Sequence, residues 1–481
     1  MHLSELPDLR SRHDPGAPCV ADDQVELTNA EFADAVRRAA TAFAAQGVSP
    51  GDVVAVMLPN TVTLVVSLFA AWRLGAAVTP INPSLVPAEV GFQGADAGAK
   101  VLVTDRPMDI GITVLTPAEL TATPPADTTA EIRDDALALL VYTSGTTGRP
   151  KGVMLDHANL KAMCAMVIGA FELTAADHSL LILPLFHVNG IVVSTLAPLL
   201  AGGRTTIAGR FAPGTFFARL ERSGATYFSA VPTIYTMLAD LPPEVTPDTS
   251  AVRFAVCGAA PASAELLRKF ESRYGISIVE GYGLSEGTCA SVVNPLRGRR
   301  KPGTVGLPLP GQSIRIADPD GTPVADGAAG EVLIQGPNVM RGYLNRPEDT
   351  ARTVVDGWLR TGDIGRIDED GYLVLVDRAK DMIIRGGENI YPKEIESVVY
   401  QLPEVAEAAV VGRASELYGE EPVLFLALNS GATLTAEQVL AHTRRNLSKY
   451  KLPVAITFLD DLPKNAVGKL DKPSLRRVPT A

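Results

Sequence analysis

The stretch Thr143-Ser144-Gly145-Thr146-Thr147-Gly148-Arg149-Pro150-Lys151-Gly152 sets two glycines and four hydroxyls ahead of a lysine. Glycine lets backbone N–H groups converge on phosphate oxygens, the hydroxyls add donors, and Lys151 adds positive charge, so such a loop suits a polyphosphate. It is not a Walker A loop, because Arg149 and Pro150 separate Gly148 from Lys151. A second stretch, Glu280-Gly281-Tyr282-Gly283-Leu284-Ser285-Glu286, follows an apolar run. There an aromatic ring can lie against a nucleobase, a serine can meet a phosphate, and a carboxylate can hold Mg2+ through oxygen. Taken alone, a strand-end tyrosine is as readily a packing residue. Two further stretches carry polar groups: Trp358-Leu359-Arg360-Thr361-Gly362-Asp363 with Arg378 and Gly386-Gly387-Glu388 downstream, and Pro463 to Lys469. Asp363 could accept both hydroxyls of a ribose or simply shape a Gly turn, and the last stretch by itself is an exposed basic loop.

The elements that must position these residues read as alternating α and β. Residues 28–47 form a helix with Thr28 and Glu31 as a capping box, one apolar face of Phe32, Val36, Ala40 and Phe43, and a stop at Gly47. Short apolar strands are expected at 52–58, 99–105, 136–144, 225–231, 251–258 and 276–283, with a helix at 63–75. That alternation predicts an α/β architecture with largely parallel sheets. Residues 117–135, rich in Thr, Pro and Ala, read as a surface connection. From about residue 313 four Asp-Gly pairs punctuate short strands, predicting a small β-rich subdomain. Beyond it, helices at 392–401 and 435–447 and strands at 408–411 and 423–428 make a small α+β unit, and a boundary near 379 divides the chain into 1–379 and 380–481.

Composition excludes several classes. With 43 Lys plus Arg against 54 Asp plus Glu, the net charge of -11 repels polyanions, so nucleic acid is no expected partner. The last forty-one residues nonetheless hold nine Lys or Arg and three Asp, a basic region that could meet phosphates or be a solvated face. Cys19, Cys164, Cys257 and Cys289 are widely spaced and form neither a disulfide framework nor a zinc pattern. The apolar stretch 180–200 is interrupted by Pro184, His187, Asn189, Gly190 and Pro198, which speaks against membrane insertion. The N-terminus has no apolar signal region, and a cytoplasmic location is expected.

Together the four stretches, in this order and over essentially the whole chain, resemble the adenylate-forming superfamily of acyl-CoA synthetases, peptide-synthetase adenylation domains and beetle luciferases. The resemblance implies a large N-terminal AMP-binding domain hinged to a mobile C-terminal domain, with ATP, Mg2+ and coenzyme A as reactants. It makes Thr143, Ser144, Gly145, Thr146, Thr147, Gly148 and Lys151 the phosphate loop. Gly258, Ala259 and Ala260 would line the adenine site, Tyr282 would lie against the base, Glu280, Gly281 and Gly283 would belong to the ATP site, and Ser285 would approach the α-phosphate. Thr143 and Glu286 match Mg2+ positions, Asp363 the ribose ligand and Arg378 its helper. The family's usual glycine before that arginine is Asp377 here. Lys380 matches the hinge, Gly386, Gly387 and Glu388 the CoA loop, and Lys469 the lysine of adenylation.

Amino-acid-activating relatives carry an Asp where this chain has His187, so a free amino acid is not the expected substrate. His187 instead looks like the gate histidine of fatty and aryl acyl-CoA synthetases. The acyl pocket maps to His187, Val188, Ser229, Val231, Thr233 and Ala260, neutral and mostly small or apolar, which favours an uncharged tail: a medium-chain fatty, alicyclic or aryl acid. A carrier protein in place of CoA, or a dicarboxylic acid as substrate, shares every ATP motif. A phosphotransferase would release ADP instead of AMP and pyrophosphate.

Overall fold

The computed structural model describes residues 2–143, 150–259, 262–378, 381–385, 388–415, 418–447, 449–464 and 470–479, and of residues 377, 378, 384, 388 and 389 the backbone. By compactness the chain divides into residues 1–314 with 334–360, and residues 315–333 with 361–481.

In the first unit the helix Asn29–Ala45 starts as its sequence requires. Thr28 is extended, its side chain accepts from the Glu31 N–H, and Glu31 Oε2 accepts from the Thr28 N–H at 2.9 Å. Phe32, Val36, Ala40 and Phe43 are fully buried. Gly47 ends the segment at φ +76°, a conformation that carries little cost without a Cβ.

A seven-stranded sheet runs in the order Gly342–Tyr343, Lys151–Asp156, Leu137–Thr143, Ala77–Pro80, Val53–Met57, Ala99–Thr104, Thr113–Leu115. A nine-stranded sheet has a parallel interior of Ile278–Tyr282, Phe254–Cys257, Tyr227–Ala230, His178–Leu181, Arg204–Ile207 and Pro18–Ala21, with antiparallel strands at both ends. Burial on both faces explains why these strands read as unbroken apolar runs. One expectation fails: residues 117–135 are not all connection. Pro117–Ala122 is a helix, capped by Thr116 with Glu119 and anchored by buried Leu120. The apolar stretch 180–200 ends in consecutive helical turns, Val188–Ile191, Val192–Leu196 and Ala197–Leu200, buried almost throughout. Among the described residues no helix is long and apolar enough to cross a membrane.

All four cysteines are buried free thiols. Burial pushes Cys19 up to about 11 and Cys289 up to about 12, and raises Cys164 and Cys257 as well, the latter with help from the nearby Glu280 charge.

Histidines are also taken inside. His157, fully buried, lies 4.3 Å from the His2 ring and 5.7 Å from Trp72, centroid to centroid. Burial, reinforced by His2, lowers its pKa to about 3, and burial lowers that of His178 to about 4. In the unfolded chain both titrate near 6.5, so below that pH the unfolded state takes up protons that the folded state does not. Their contribution is therefore complete above about pH 6.5 and lost progressively as pH falls toward 4. The urea midpoint should drop between pH 7 and pH 5, and His157→Phe should shrink that drop. Identical pH dependence in both proteins would refute the assignment.

The strand Trp358–Ile367, in the second unit from Thr361 on, forms an antiparallel hairpin with Leu373–Arg378 that sets Asp363 opposite Arg378. The Asp-Gly turns are present, with Gly321, Gly327 and Gly371 all at positive φ. A separate sheet orders Glu388–Ile390, Ile383–Arg385, Gly419–Leu428 and Val405–Ser415, with Ala455–Phe458 parallel to Gly419–Leu428. Ala408, Val410, Leu424 and Leu426 pack on one face with Ile395 and Val439 of the helices Pro392–Val399 and Ala436–Asn446, while Ala409, Val411, Val423 and Phe425 pack on the other with Leu462 and Leu475. Two strands therefore run beyond the expected 408–411 and 423–428, their polar ends held by pairing such as Arg413 opposite Glu421.

Candidate active site

Three parallel strands of the first unit end side by side. Ser229 pairs in register with Val256, Ala230 with Cys257, and Cys257 with Glu280. Beyond these ends come Val231 and Thr233, Gly258 and Ala259, and Gly283 to Glu286, where ligands of open α/β sheets bind. His187 follows the neighbouring strand His178–Leu181 and N-caps the turn Val188–Ile191, its ring 4.5 Å from that of Phe186. Ala259 sits at φ +68°, a left-handed backbone that a non-glycine residue holds only when its surroundings impose it.

The turn at Gly283 is tightly built. A Cβ at Gly283 would stand 1.8 Å from the Cys289 carbonyl oxygen and 2.7 Å from Ala290 Cα. Ser285–Gly287 is a single helical turn, followed by Thr288 and Cys289 at positive φ. Its backbone is satisfied from outside. Asn338 Nδ2 donates to the Gly287 carbonyl at 2.9 Å, Thr288 Oγ1 donates to the Asn338 carbonyl at 2.5 Å, and the Met340 N–H donates to the Glu286 carbonyl at 2.8 Å. Gln312 Nε2 donates to the Ala290 carbonyl at 2.9 Å.

From the other sheet, the hairpin Leu137–Thr143/Lys151–Asp156 sets Thr143 opposite Lys151. Lys151 Nζ pairs with Asp349 Oδ2 at 3.0 Å and stands 5.0 Å above the Tyr343 ring. The Lys151 and Arg352 partners hold the Asp349 carboxyl below its ordinary range. Tyr343, on the short strand paired with Lys151–Asp156, donates from its hydroxyl to Glu286 Oε1 at 2.8 Å. Burial and then the Glu286 charge raise the Tyr343 pKa, so this hydroxyl keeps its proton. Lys151 and Glu286, 135 residues apart in sequence, thus meet on either side of one tyrosine.

Oxygen donors suit Mg2+. The Glu286 carboxylate is such a donor, with Tyr343 its hydrogen-bond partner among the described residues, and Thr143 supplies a hydroxyl at the strand end. These residues fit the ion.

In the second unit Asp363 is 5% exposed, and its N–H donates to Thr361 Oγ1 at 3.0 Å while that hydroxyl donates to the Val332 carbonyl at 2.7 Å. Gly362 turns the chain at φ +67°, and its N–H donates to Glu331 Oε1 at 3.0 Å. Arg378 lies opposite Asp363 across the hairpin, and Glu388 begins the strand Glu388–Ile390. Ser144, Gly145, Thr146, Thr147, Gly148, Ala260, Lys380, Gly386, Gly387 and Lys469 lie outside the described residues.

Tyr343, Asp349 and Asn338 are absent from the sequence expectations. The only local sign of the first two is Gly342-Tyr343 ahead of Asn345-Arg346-Pro347. A Cβ at Gly342, where φ is +139°, would stand 2.5 Å from Thr350 Cγ2, and Thr350 Oγ1 accepts from the Tyr343 N–H at 2.9 Å.

Residues 8–344 match the AMP-binding enzyme family and residues 394–469 the AMP-binding enzyme C-terminal domain. A feruloyl-CoA synthase of an Amycolatopsis species is 37% identical, with 99% of this chain and 98% of that protein covered. The crystal structure of ATP-bound MatB from Rhodopseudomonas palustris superposes with a TM-score of 0.93 at 33% identity, covering 99% and 98% of the two chains. The o-succinylbenzoate CoA synthetase of Bacillus subtilis, in complex with its acyl-adenylate intermediate, gives 0.91 at 32% identity with the same coverage, and another structure of that enzyme holds ATP and a magnesium ion. The chain belongs to the AMP-binding enzyme family.

Proposed function

We propose that this chain joins ATP to a neutral-tailed carboxylic acid (aryl, alicyclic or medium-chain fatty) as an acyl adenylate, then passes the acyl group to coenzyme A in the cytoplasm. It is an ATP-dependent, AMP-forming acid–CoA ligase, the activity borne by its relatives. The observation that supports the reading is the meeting of Lys151 and Glu286 at Tyr343, which brings together a cation suited to phosphate and a carboxylate suited to Mg2+.

The chemistry follows from charge. A carboxylate oxygen attacks the α-phosphorus, the bond to the bridging oxygen breaks, and pyrophosphate leaves with that electron pair. Lys151 and Lys469 face the charge that builds on the phosphate oxygens. Glu286 and Thr143 would hold Mg2+, which would add to the neutralisation of the triphosphate. Asp363 holds the ribose and Tyr282 the base. In the second half-reaction the CoA sulfur attacks the acyl carbon, AMP leaves, and the thiol proton passes to solvent. Residues 380–481 act as the mobile domain, withdrawing Lys469 and presenting Gly386-Gly387-Glu388, so that one site serves both steps.

For the tail, Val188 and Ser229 are buried and Val231 partly so. Among the described residues Ser229 Oγ has no hydrogen-bond partner, so it is suited to a water or to a hydroxyl on the acid. An aryl acid is in keeping with the feruloyl-CoA relative. ATP–pyrophosphate exchange across hydroxylated and plain aryl, fatty and dicarboxylic acids, followed by CoA addition, tests this. Exchange with aryl or fatty acids and then acyl-CoA formation is expected. Exchange with no acid would defeat the adenylation reading, and exchange with dicarboxylates alone would defeat the proposed tail.

A further inference from the structure

We infer that Tyr343 is a positioning residue for the metal-binding carboxylate. Its hydroxyl holds Glu286 Oε1 at 2.8 Å, fixing the orientation in which that side chain meets Mg2+. The inference rests on the proposed metal role of Glu286.

Three features make this more than a packing contact. The tyrosine is fixed before it reaches Glu286: it sits in a strand paired with Lys151–Asp156 at Val153, its N–H is bound by Thr350, and the residue is 8% exposed. The carboxylate's backbone is fixed separately, through the Met340 N–H and the Asn338 contacts around Gly287. Two anchored backbones therefore leave the hydroxyl–carboxylate bond to set the Glu286 rotamer. Finally, Lys151 lies over the face of the same ring, so this side chain adjoins both the loop lysine and the metal carboxylate. Groups that orient a metal ligand by hydrogen bonding typically matter by about 10- to 100-fold in metal affinity or activity.

Tyr343→Phe isolates the effect, because it keeps the ring beneath Lys151 and removes only the hydroxyl. Mg2+ titrations of ATP–pyrophosphate exchange should show half-saturation at a concentration about 10-fold higher. Calorimetry should show a similar loss of affinity for ATP with Mg2+ and unchanged affinity for ATP in EDTA. A loss of equal size with and without Mg2+ would mean a merely structural role and overturn the inference. Glu286→Gln, measured alongside, separates the two claims. If it shifts the Mg2+ requirement and Tyr343→Phe does not, the tyrosine inference fails and the Glu286 assignment stands. If neither variant shifts it, the metal assignment of Glu286 fails, and the inference with it.

Discussion

Lys469→Ala is expected to slow acyl-adenylate formation by about 10³-fold while leaving thioester formation from supplied acyl-AMP within about twofold of the parent. In the first half-reaction negative charge accumulates at a phosphorus already ringed by oxygens, and a lysine aimed at it acts mainly in that transition state. In the second the attacked atom is a carbonyl carbon, and the departing AMP already carries its phosphate charge. The described residues on either side of 465–469 are held independently of the Lys469 side chain. Lys464 and Leu470 form an antiparallel bridge, the Asp471 N–H donates to the Pro463 carbonyl at 2.8 Å, and Lys464 Nζ pairs with Glu407 at 2.7 Å. Truncation at 469 should therefore leave the fold unchanged, and circular dichroism and urea unfolding should match the parent. Pyrophosphate exchange and single-turnover thioester formation, measured on the same preparation, decide the matter. Equal losses in both steps would remove Lys469 from the role proposed.

Gly283→Ala should be the most damaging single methyl in the site. The added carbon would meet the Cys289 carbonyl oxygen and Ala290 Cα, both backbone, so no rotamer change can relieve it. Overpacking of this kind costs roughly 3 kcal/mol or more when the obstacle cannot move, and urea unfolding should register that loss. Adenylation should disappear with it, because the displaced turn carries Ser285 and Glu286. Gly281→Ala provides the contrast, its Cβ meeting the Val292 carbonyl oxygen at 3.2 Å, close enough to require only a small shift. A Gly283→Ala protein with parental stability and exchange rate would show that the turn is slack.

Much of the architecture is legible in the chain because its signals are local. Thr28 with Glu31 names a helix start from four residues, and the buried strands announce themselves as short apolar runs. Failure came where a stronger compositional impression hid a local signal. Thr116 and Glu119 are as good a capping pair as Thr28 and Glu31, yet they begin a Thr-, Pro- and Ala-rich stretch that reads as loop. At the site, the glycines and charged residues stand out because their types have few other uses in such clusters. Tyr343 does not, since its meaning depends on Glu286, 57 residues away, and on a sheet pairing that no local pattern encodes. Asn338 is hidden for the same reason: its value lies in the backbone groups it satisfies across the Gly287 turn.

The burial of every thiol bears on how the enzyme can be observed. Cys19, Cys164, Cys257 and Cys289 are shielded from solvent and held in the protonated, unreactive form by their raised pKa values. A disulfide dye that receives samples withdrawn from a working mixture will therefore colour with the coenzyme A still free in each sample and stay blind to native protein. The fall in colour from one sample to the next counts thioester made, and a slow further rise of up to four equivalents per chain within a sample counts molecules that have come unfolded.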